Sequence, residues 1–250
     1  MAKTVLITGG AKRIGRALSL VLAKAGWNIA LHYHNSASEA EEVLAQLHEL
    51  GVKAQMFRAD LANAQQTRQL FQEATEAFGS VTGLINNASL FEREDLKSFS
   101  ESSFDAHMHI NLLAPVLLTQ AMAAQDLDYE MNDVSIVNII DQRVHNLRPG
   151  FTSYTLSKAA LWTLTQTTAM ELAPRIRVNA IGPGPTLASK RQSASQFARQ
   201  VAQVPLKRGA SAEDIAKGAE FLMSSPSITG EFISMDGGQH LPSCIMTEEE

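Results

Sequence analysis

Seven short apolar runs, rich in β-branched residues, alternate along the chain with longer segments whose apolar residues recur at helical spacing. The runs are too continuously apolar for a sheet with one wetted face, so they predict a parallel sheet covered by helices on both sides. With right-handed crossovers, the expected fold class is α/β, a doubly wound Rossmann-type sheet of about seven strands. The predicted strands are 5–8, 28–33, 52–57, 83–86, 134–140, 177–181 and 231–235.

The chain has 250 residues, of which 45% are hydrophobic, enough for one large core. We find no internal repeat or linker, and therefore predict one domain over residues 1–250. The longest irregular stretch, 183–209, is a candidate lid. The acidic tail at 248–250 is predicted to be a solvated end.

Composition excludes several classes of protein. A net charge of −5 offers no basic surface for tracking phosphate backbones, so we expect no nucleic-acid partner. No apolar stretch reaches the roughly 18 residues of a membrane span. The single cysteine, Cys244, has no intramolecular partner, which favours a reducing compartment and an inert thiol. With no leader before the first strand, we expect a cytoplasmic protein. We also expect that the site holds no metal.

The segment TGGAKRIG, residues 8–15, follows the first predicted strand and opens the first helix. Flexible backbone and helix N–H groups there are suited to holding a pyrophosphate. The segment lacks the G-x-G-x-x-G spacing, and glycines in such a turn are often purely structural. Its position nevertheless favours dinucleotide binding by Gly9, Lys12, Arg13, Ile14 and Gly15.

The second strand ends in LHYHNS, residues 31–36, where an NAD-binding domain normally presents a carboxylate to the ribose. None is present. His34, Asn35 and Ser36 can instead donate hydrogen bonds to a 2′-phosphate, with charge added by Lys12 or Arg13. The sequence therefore favours NADPH over NADH. The alternative is that His32 and His34 merely occupy a strand end.

Tyr154 and Lys158 are four residues apart in SYTLSK, at the start of a long predicted helix. This spacing places both side chains on one face, about 6 Å apart along the axis. An adjacent ammonium favours the phenolate, so we expect Lys158 to lower the pKa of Tyr154 and make it a usable proton donor or acceptor. A bare Tyr-x-x-x-Lys is more often a surface pair, but this one follows the fifth strand.

These motifs, together with NNAS (86–89), Asn111 and GPGPT (182–186), occur in the order and approximate spacing of the short-chain dehydrogenase/reductase family, which almost the whole chain resembles. The resemblance implies that Tyr154 donates the proton, that Lys158 binds the nicotinamide ribose and tunes Tyr154, and that Asn111 supports a water-linked proton relay. It assigns further cofactor contacts to Asp60 and Leu61 at the adenine, Asn87 and Ala88 at the ribose side, and Pro183, Gly184 and Thr186 by the nicotinamide. Ser89, which follows Ala88, is also expected to contact the cofactor.

Two residues depart from the common family pattern. Arg13 replaces the usual second glycine of the turn, and Asp141 replaces the usual serine after the fifth strand. An ionised Asp141 only accepts hydrogen bonds and cannot donate to a ketone oxygen as that serine does. With LHYHNSASEA and NNASLF, these changes resemble the pteridine reductase branch, which reduces biopterin, folate or their dihydro forms with NADPH. Asn35 is often an arginine in that branch, so the NADPH preference is expected to be weaker here.

A pterin suits the residues near Tyr154. Its flat ring can stack on Phe91, and its donors can bind Asp141, which can hold or relay a proton. The substrate site is therefore predicted to comprise Arg13, Ser89, Phe91, Asp141 and Tyr154, with Arg13 bridging phosphate and substrate. Alternatively, Phe91 only packs on the core, Asp141 caps a turn or pairs with Arg143, and Ser89 is a small residue near the cofactor.

The leading hypothesis is hydride transfer from NADPH to a C=N bond of a dihydropterin or dihydrofolate, with Tyr154 and Asp141 handling the proton. The alternatives are a reductase of another carbonyl or enoyl substrate, and a catalytically idle dinucleotide-binding module. The intact Asn111, Tyr154 and Lys158 argue against the idle module. The resemblance also implies a homotetramer, with contacts near the long helix from Tyr154 and the segment 235–241.

Overall fold

The computed structural model describes residues 3–127, 133–189 and 191–241. The seven predicted strands are confirmed, each bound lying within two residues of its prediction. They form one parallel sheet in the order β3-β2-β1-β4-β5-β6-β7. The strands are β1 (Thr4–Ile7), β2 (Asn28–Tyr33), β3 (Ala54–Arg58), β4 (Gly83–Asn86), β5 (Val134–Ile139), β6 (Ile176–Pro183) and β7 (Phe232–Met235). Cys244 and the tail 248–250 lie outside the described residues.

Helices cover both faces of the sheet. They are α1 (Arg13–Lys24), α2 (Ala37–Glu49), α3 (Ala64–Phe78), α4 (Glu101–Met108), α5 (Ala114–Ala123), α6 (Thr152–Leu172), α7 (Ala194–Gln203) and α8 (Ala212–Ser224). A π-helical turn, His109–Leu113, joins α4 to α5, and a 3₁₀ turn, Gln142–Val144, follows β5.

Alternate residues of each strand enter two separate cores. On β1, Val5 and Ile7 pack with α1, α2 and α8, whereas Leu6 packs with α3, α5 and α6. All three side chains are fully buried, as expected when successive strand residues point to opposite covered faces. The doubly wound architecture is therefore confirmed.

The strand order reverses direction between β1 and β4, which makes the carboxyl end of these two strands the topological switch point. Open α/β sheets bind ligands in the crevice at this place. The loops after β1, β4, β5 and β6 all leave the sheet at that edge, and α6 begins beside it. Residues from distant parts of the sequence are thus brought to one cleft.

The segment 183–209 was expected to be irregular, and this expectation is wrong because the segment contains a helix. Strand β6 continues through Pro183, and α7 occupies much of the remainder. A capping box starts α7, in which Ser193 accepts a bond from the Gln196 backbone and the Gln196 side chain accepts one from the Ser193 backbone. The Ser-x-x-Gln spacing is the sequence signal that could have identified this helix. No residue of α7 is buried, and Gln196, Phe197 and Gln200 line a cavity described below.

Among the described residues, no helix is both long and apolar enough to span a membrane.

Candidate active site

The turn after β1 depends on glycine. Gly9 has a positive φ of 63°, which favours glycine, and a Cβ at Gly15 would lie only 1.9 Å from the carbonyl oxygen of Gly9. The start of α1 is therefore pressed against the turn, with its N-terminal N–H groups facing the cleft. This backbone arrangement is suited to an anionic ligand such as a pyrophosphate.

His32 holds the turn by a hydrogen bond to its backbone, a role that was not predicted from the sequence. Its Nδ1 accepts a hydrogen bond of 3.0 Å from the Gly9 N–H, and its Nε2 lies 3.1 Å from the carbonyl of Ala59. Burial lowers the pKa of His32 to about 4, so the ring is neutral at pH 7. A neutral ring supplies one acceptor and one donor, which matches these two contacts.

A cleft of about 640 Å³ runs from the turn past the ends of β2 and β3. Its lining is the one expected for the adenosine half of a dinucleotide, and we call it the adenosine cleft. Thirteen of the residues predicted to bind the cofactor line it, namely Gly9, Lys12, Arg13, Ile14, Gly15, His34, Asn35, Ser36, Asp60, Leu61, Asn87, Ala88 and Ser89.

The ammonium of Lys12 already has a partner in this cleft. It lies 2.5 Å from the Glu39 carboxylate, and both side chains are about half exposed. Lys12 is therefore close enough to the end of β2 to contribute charge, but Glu39 competes for it. Arg13 has no carboxylate within 4 Å in the described part of the chain, which leaves it the freer cation at this turn.

A second cavity, of about 710 Å³, adjoins the first and contains the predicted chemical centre. It brings together most of the residues predicted for catalysis, for the nicotinamide and for the substrate. These are Arg13, Ile14, Asn87, Ser89, Phe91, Asp141, Tyr154, Lys158, Pro183, Gly184 and Thr186.

At the centre, the Tyr154 hydroxyl donates a hydrogen bond of 2.8 Å to Asp141 Oδ2. The other carboxyl oxygen of Asp141 accepts a bond from the Arg143 backbone N–H and caps the 3₁₀ turn. Asp141 thus does both things considered from the sequence: it caps a turn and it faces Tyr154. Within the described residues, the Arg143 guanidinium forms no ion pair with the Asp141 carboxylate within 4 Å.

The expectation that Lys158 lowers the pKa of Tyr154 is wrong in this structure. Burial raises the pKa of Tyr154 well above its ordinary value, and the neighbouring Asp141 raises it further. Lys158 Nζ donates to the Ile139 carbonyl at 2.8 Å and lies 5.9 Å from the Tyr154 ring centroid, so its charge is directed elsewhere. Tyr154 is therefore a neutral phenol, competent as a donor and not as a base.

Burial also shifts the pKa values of the two charged residues near Tyr154, Asp141 and Lys158. It raises the pKa of the Asp141 carboxyl, against the opposing hydrogen bonds from Arg143 and Tyr154. It lowers the pKa of Lys158 to about 8, although the Asp141 carboxylate opposes this shift. The protonated form of Asp141 is thus more accessible than in an ordinary aspartate.

Asn111 lies in the π-helical turn and is fully buried. Its amide donates to the Leu90 carbonyl and to Ser157 Oγ, both at 3.0 Å, and its carbonyl accepts from the Leu90 N–H at 2.8 Å. The side chain therefore joins the segment after β4 to α6. It does not line either cavity, so its predicted relay role stays a prediction.

Phe91 contacts Tyr154 edge-on, with ring centroids 4.7 Å apart, and stacks in parallel on Phe151 at 4.6 Å. Phe151 was not predicted from the sequence as a site residue. It precedes α6 in a left-handed conformation, with φ of 67°. The two rings form an aromatic wall beside Tyr154.

Glu94, also absent from the predicted site, holds the beginning of α6. Its Oε1 accepts a 2.7 Å bond from the Ser153 N–H, and its own carbonyl accepts a 2.6 Å bond from the Phe151 N–H. Burial opposes ionisation, but the Ser153 and Ser103 hydrogen bonds outweigh it and lower the pKa of Glu94. An anion at a helix N-terminus is stabilised there. The loop carrying Phe91 is thereby fastened to the helix carrying Tyr154.

Arg13 occupies a left-handed conformation, with φ of 54°, at the position where the family pattern has glycine. Its guanidinium donates to the carbonyls of Leu187 and Ala188 at 3.1 and 3.0 Å, and the residue lines both cavities. It therefore connects the phosphate-binding turn to the segment between β6 and α7.

Comparison with known proteins identifies the same family. The family model of short chain dehydrogenases matches residues 3–199. A 3-oxoacyl-acyl-carrier-protein reductase, FabG, of Staphylococcus epidermidis is 32% identical over 246 residues, covering 96% of this chain and 100% of the relative.

Solved structures give the same fold. FolM Alternative dihydrofolate reductase 1 from Brucella suis, in complex with NADP, is 42% identical with a TM-score of 0.92, covering 97% of this chain and 98% of that one. A short chain dehydrogenase from Burkholderia cenocepacia in complex with NADP is 30% identical with a TM-score of 0.88, covering 95% and 98%.

Proposed function

The chain belongs to the short-chain dehydrogenase family, and on that premise we propose that it uses NADPH to reduce the C=N bond of a dihydropterin or dihydrofolate. The observation that carries the proposal is the hydrogen bond from Tyr154 to Asp141 in a cavity that Phe91 also lines. The Brucella relative, a dihydrofolate reductase that holds NADP, supports both substrate and cofactor.

The residues present fit NADPH. The start of α1 can pack against the Gly9 carbonyl only because Gly15 lacks a side chain, and this places the helix N-terminus, which favours phosphate, beside the turn. His34, Asn35 and Ser36 line the cleft where a 2′-phosphate would lie, and none of them carries a negative charge. When bound, the cofactor supplies the hydride. Pro183, Gly184 and Thr186 line the neighbouring cavity, where they would contact its nicotinamide end.

Reduction of a C=N bond adds a hydride to carbon and a proton to nitrogen. The Tyr154 hydroxyl, neutral because burial raises its pKa, can give that proton. The phenolate left behind would face Asp141 at hydrogen-bond distance, which is unfavourable if both are anions. A proton held on Asp141, whose pKa burial also raises, removes this conflict by passing to Tyr154 oxygen as its own proton leaves.

Asp141 also discriminates between substrate classes. A ketone oxygen only accepts hydrogen bonds, so it gains a bond from Asp141 only while that carboxyl holds a proton. A pterin carries ring N–H and amino donors, which Asp141 can accept, and a flat ring that can stack beside Phe91. The alternative, reduction of another carbonyl or enoyl substrate, has the oxoacyl reductase relatives in its favour.

The deciding experiment follows NADPH oxidation by the purified protein with dihydrobiopterin, dihydrofolate, biopterin and a matched panel of ketones. We expect turnover of the dihydropterins. Turnover of ketones alone would contradict the substrate assignment while leaving Tyr154 and Lys158 as the reductase centre. If neither the wild type nor a Tyr154→Phe variant oxidised NADPH above background with any substrate, the result would indicate the idle-module alternative.

We also propose a homotetramer built on the long helix α6 and on residues 235–241. Two large apolar side chains of α6 are exposed, Leu156 and Met170, the latter by 75%. Burial of such side chains is a common feature of subunit interfaces. Light scattering at micromolar protein would give about four times the mass of one chain if the proposal is correct, and the mass of one chain if it is wrong.

A further inference from the structure

The cavity that contains Tyr154 is far more positive than the protein around it. The chain carries a net charge of −5, yet among the charged side chains that line this cavity there are six cations and one carboxylate, Asp141. A cleft lined by one sign of charge concentrates ligands of the opposite sign. The cations are Arg13, Lys158, Arg93, Arg143, Arg148 and Arg191.

The cofactor accounts for only two of these charges. Arg13 lies at the phosphate-binding turn, and Lys158 lies beside Tyr154 in the predicted nicotinamide region. None of the other four arginines lines the adenosine cleft. Their charge is therefore available to a second ligand that enters the cavity.

Two of the four flank the aromatic wall. The Arg143 guanidinium lies 5.0 Å from the Phe151 ring centroid, and that of Arg191 lies 6.0 Å from the Phe91 centroid. Phe91 itself contacts Tyr154, so only the Phe91 ring separates the Arg191 guanidinium from the Tyr154 side chain. A substrate whose reacting ring lies at Tyr154 would extend any tail between these guanidinium groups.

The four arginines are mostly unneutralised within the protein. Arg191 pairs with Glu92, and it is the only one of the four with a carboxylate within 4 Å in the described ranges. Arg143 Nε is buried without a hydrogen-bond partner in the same part of the chain. A buried donor left unpaired is costly unless a ligand satisfies it.

The nearest acidic groups are already engaged. Asp95 acts electrostatically on Arg93 but accepts bonds from the Lys97 and Ser98 backbone N–H groups. Asp141 is bound by Tyr154 and by the Arg143 backbone. Neither carboxylate forms an ion pair with an arginine of the cavity.

We propose that the outer part of this cavity, formed by Arg93, Arg143, Arg148 and Arg191, binds an anionic substituent of the substrate, such as the two carboxylates of a folate tail. The proposal rests on the proposed function, and it makes an acid-bearing dihydropterin the preferred substrate over a neutral one. A phosphate ester would satisfy the same guanidinium groups, because both anions accept paired N–H donors.

The first test compares substrates that share one reacting ring. Steady-state kcat/KM is measured with NADPH and dihydrofolate, its glutamate diamide, dihydrobiopterin and dihydroneopterin monophosphate. We expect dihydrofolate to exceed its diamide by about tenfold, since a hydrogen bond to a charged group is worth that much or more. Raising the salt concentration should remove the difference, because the arginines are partly exposed. A higher value for the phosphate ester than for dihydrofolate would identify phosphate as the preferred anion.

The second test uses an Arg93→Gln/Arg148→Gln double variant, with Arg68→Gln as the matched control. Arg68 is exposed on α3, where it donates to the Ala64 carbonyl of its own helix, and it does not line the cavity. We expect the ratio of kcat/KM for dihydrofolate over dihydrobiopterin to fall about tenfold in the double variant and to stay at the wild-type value in the control. Equal kcat/KM for dihydrofolate and its diamide, or an unchanged ratio, would overturn the proposal while leaving pterin reduction intact.

Binding separates this proposal from the proposed function. Calorimetry with the NADP-loaded protein and 4-aminobenzoyl-glutamate requires no turnover. If no pterin is reduced but this dianion binds and the double variant loses that binding, the anion site stands and the proposed substrate is wrong. If the dianion does not bind, the anion site is wrong whatever the pterin activity.

Discussion

The phenolic oxygen of Tyr154 lies 2.8 Å from Asp141 Oδ2, at the point where the end of β5 meets the start of α6. A carboxyl at this position changes the chemistry of the phenol. It raises the pKa of Tyr154, in addition to the effect of burial, and it provides a second site for a proton within one hydrogen bond. The pair can therefore deliver a proton without leaving two adjacent anions.

Replacing Asp141 should separate its two roles. With Asp141→Ser, a hydroxyl donor appears and the carboxylate acceptor is lost, so we expect pterin kcat/KM to fall about 100-fold, within the usual range for general acid–base groups, and ketone turnover to appear. NADPH oxidation with both substrate classes measures this. Asp141→Asn serves as the control, since it keeps the shape but cannot hold the proton. Undiminished pterin turnover, with no ketone turnover, would mean that Asp141 has neither role.

The pH dependence should report Lys158. Its pKa is lowered to about 8, so the ammonium is present below that pH and is lost above it. We expect kcat/KM to decline about tenfold per unit as pH rises beyond 8. Tyr154 cannot cause this decline, because its pKa is raised well above 10. In Lys158→Arg, whose side chain stays charged, the alkaline decline should disappear from the pH profile even if activity is lower. Persistence of the same decline in that variant would exclude Lys158 as its source.

His32 should make the fold sensitive to acid. Its pKa is about 4 in the folded protein and 6.5 when exposed, so between these values the unfolded chain binds the additional proton. The contribution of His32 to the free energy of unfolding is therefore fully present above pH 6.5. It is lost as the pH falls toward 4, and the loss amounts to about 3 kcal/mol. Urea unfolding at pH 7 and pH 4 measures the loss.

His32→Asn keeps an acceptor at the position of Nδ1 for the Gly9 N–H, loses the contact of Nε2 with Ala59, and does not titrate. We expect this variant to lose about 3 kcal/mol less than wild type over the same pH interval. His48→Asn, at an exposed histidine of α2, is the matched control and should behave as wild type. Equal losses in wild type and His32→Asn would contradict the assignment.

Glu94 should matter for activity through the position of α6. Glu94→Ala removes the acceptor of the Ser153 N–H, which resembles the loss of an N-cap and should cost about 1–2 kcal/mol of unfolding free energy. Because α6 carries Tyr154, kcat should fall as well. Glu94→Gln retains an acceptor and should recover most of both quantities. Loss of stability without loss of kcat in the alanine variant would limit Glu94 to a structural role.

The strands were predictable because a parallel strand buried on both faces is a continuous apolar run, as in β5, where all six residues are buried. The pairing of Tyr154 with Asp141 was also accessible, because both follow the end of one strand. The direction of the Tyr154 pKa was not. Spacing along α6 indicates how far Lys158 is, but not that its ammonium bonds to Ile139 or that the phenol is buried.

Two supporting residues were beyond sequence reasoning for another reason. His32 bonds to Gly9 across 23 positions of sequence, and Glu94 bonds to Ser153 across 59. Neither belongs to a motif with its partner, so only the folded sheet brings them together. Helix α7, none of whose ten residues is buried, was missed although Ser193 and Gln196 signal its start.

Arg13 connects the phosphate-binding turn to residues 187–188, which implies that the affinities for cofactor and substrate depend on each other. Its bonds to the carbonyls of Leu187 and Ala188 use two of its five N–H donors, which leaves others for a phosphate of the cofactor. A cofactor that orients this guanidinium thereby stabilises the segment bordering the substrate cavity. Thermodynamic linkage then requires substrate to tighten cofactor binding by the same factor that cofactor tightens substrate binding. We therefore expect the two ligands to bind cooperatively, and Arg13→Gly to make their affinities independent.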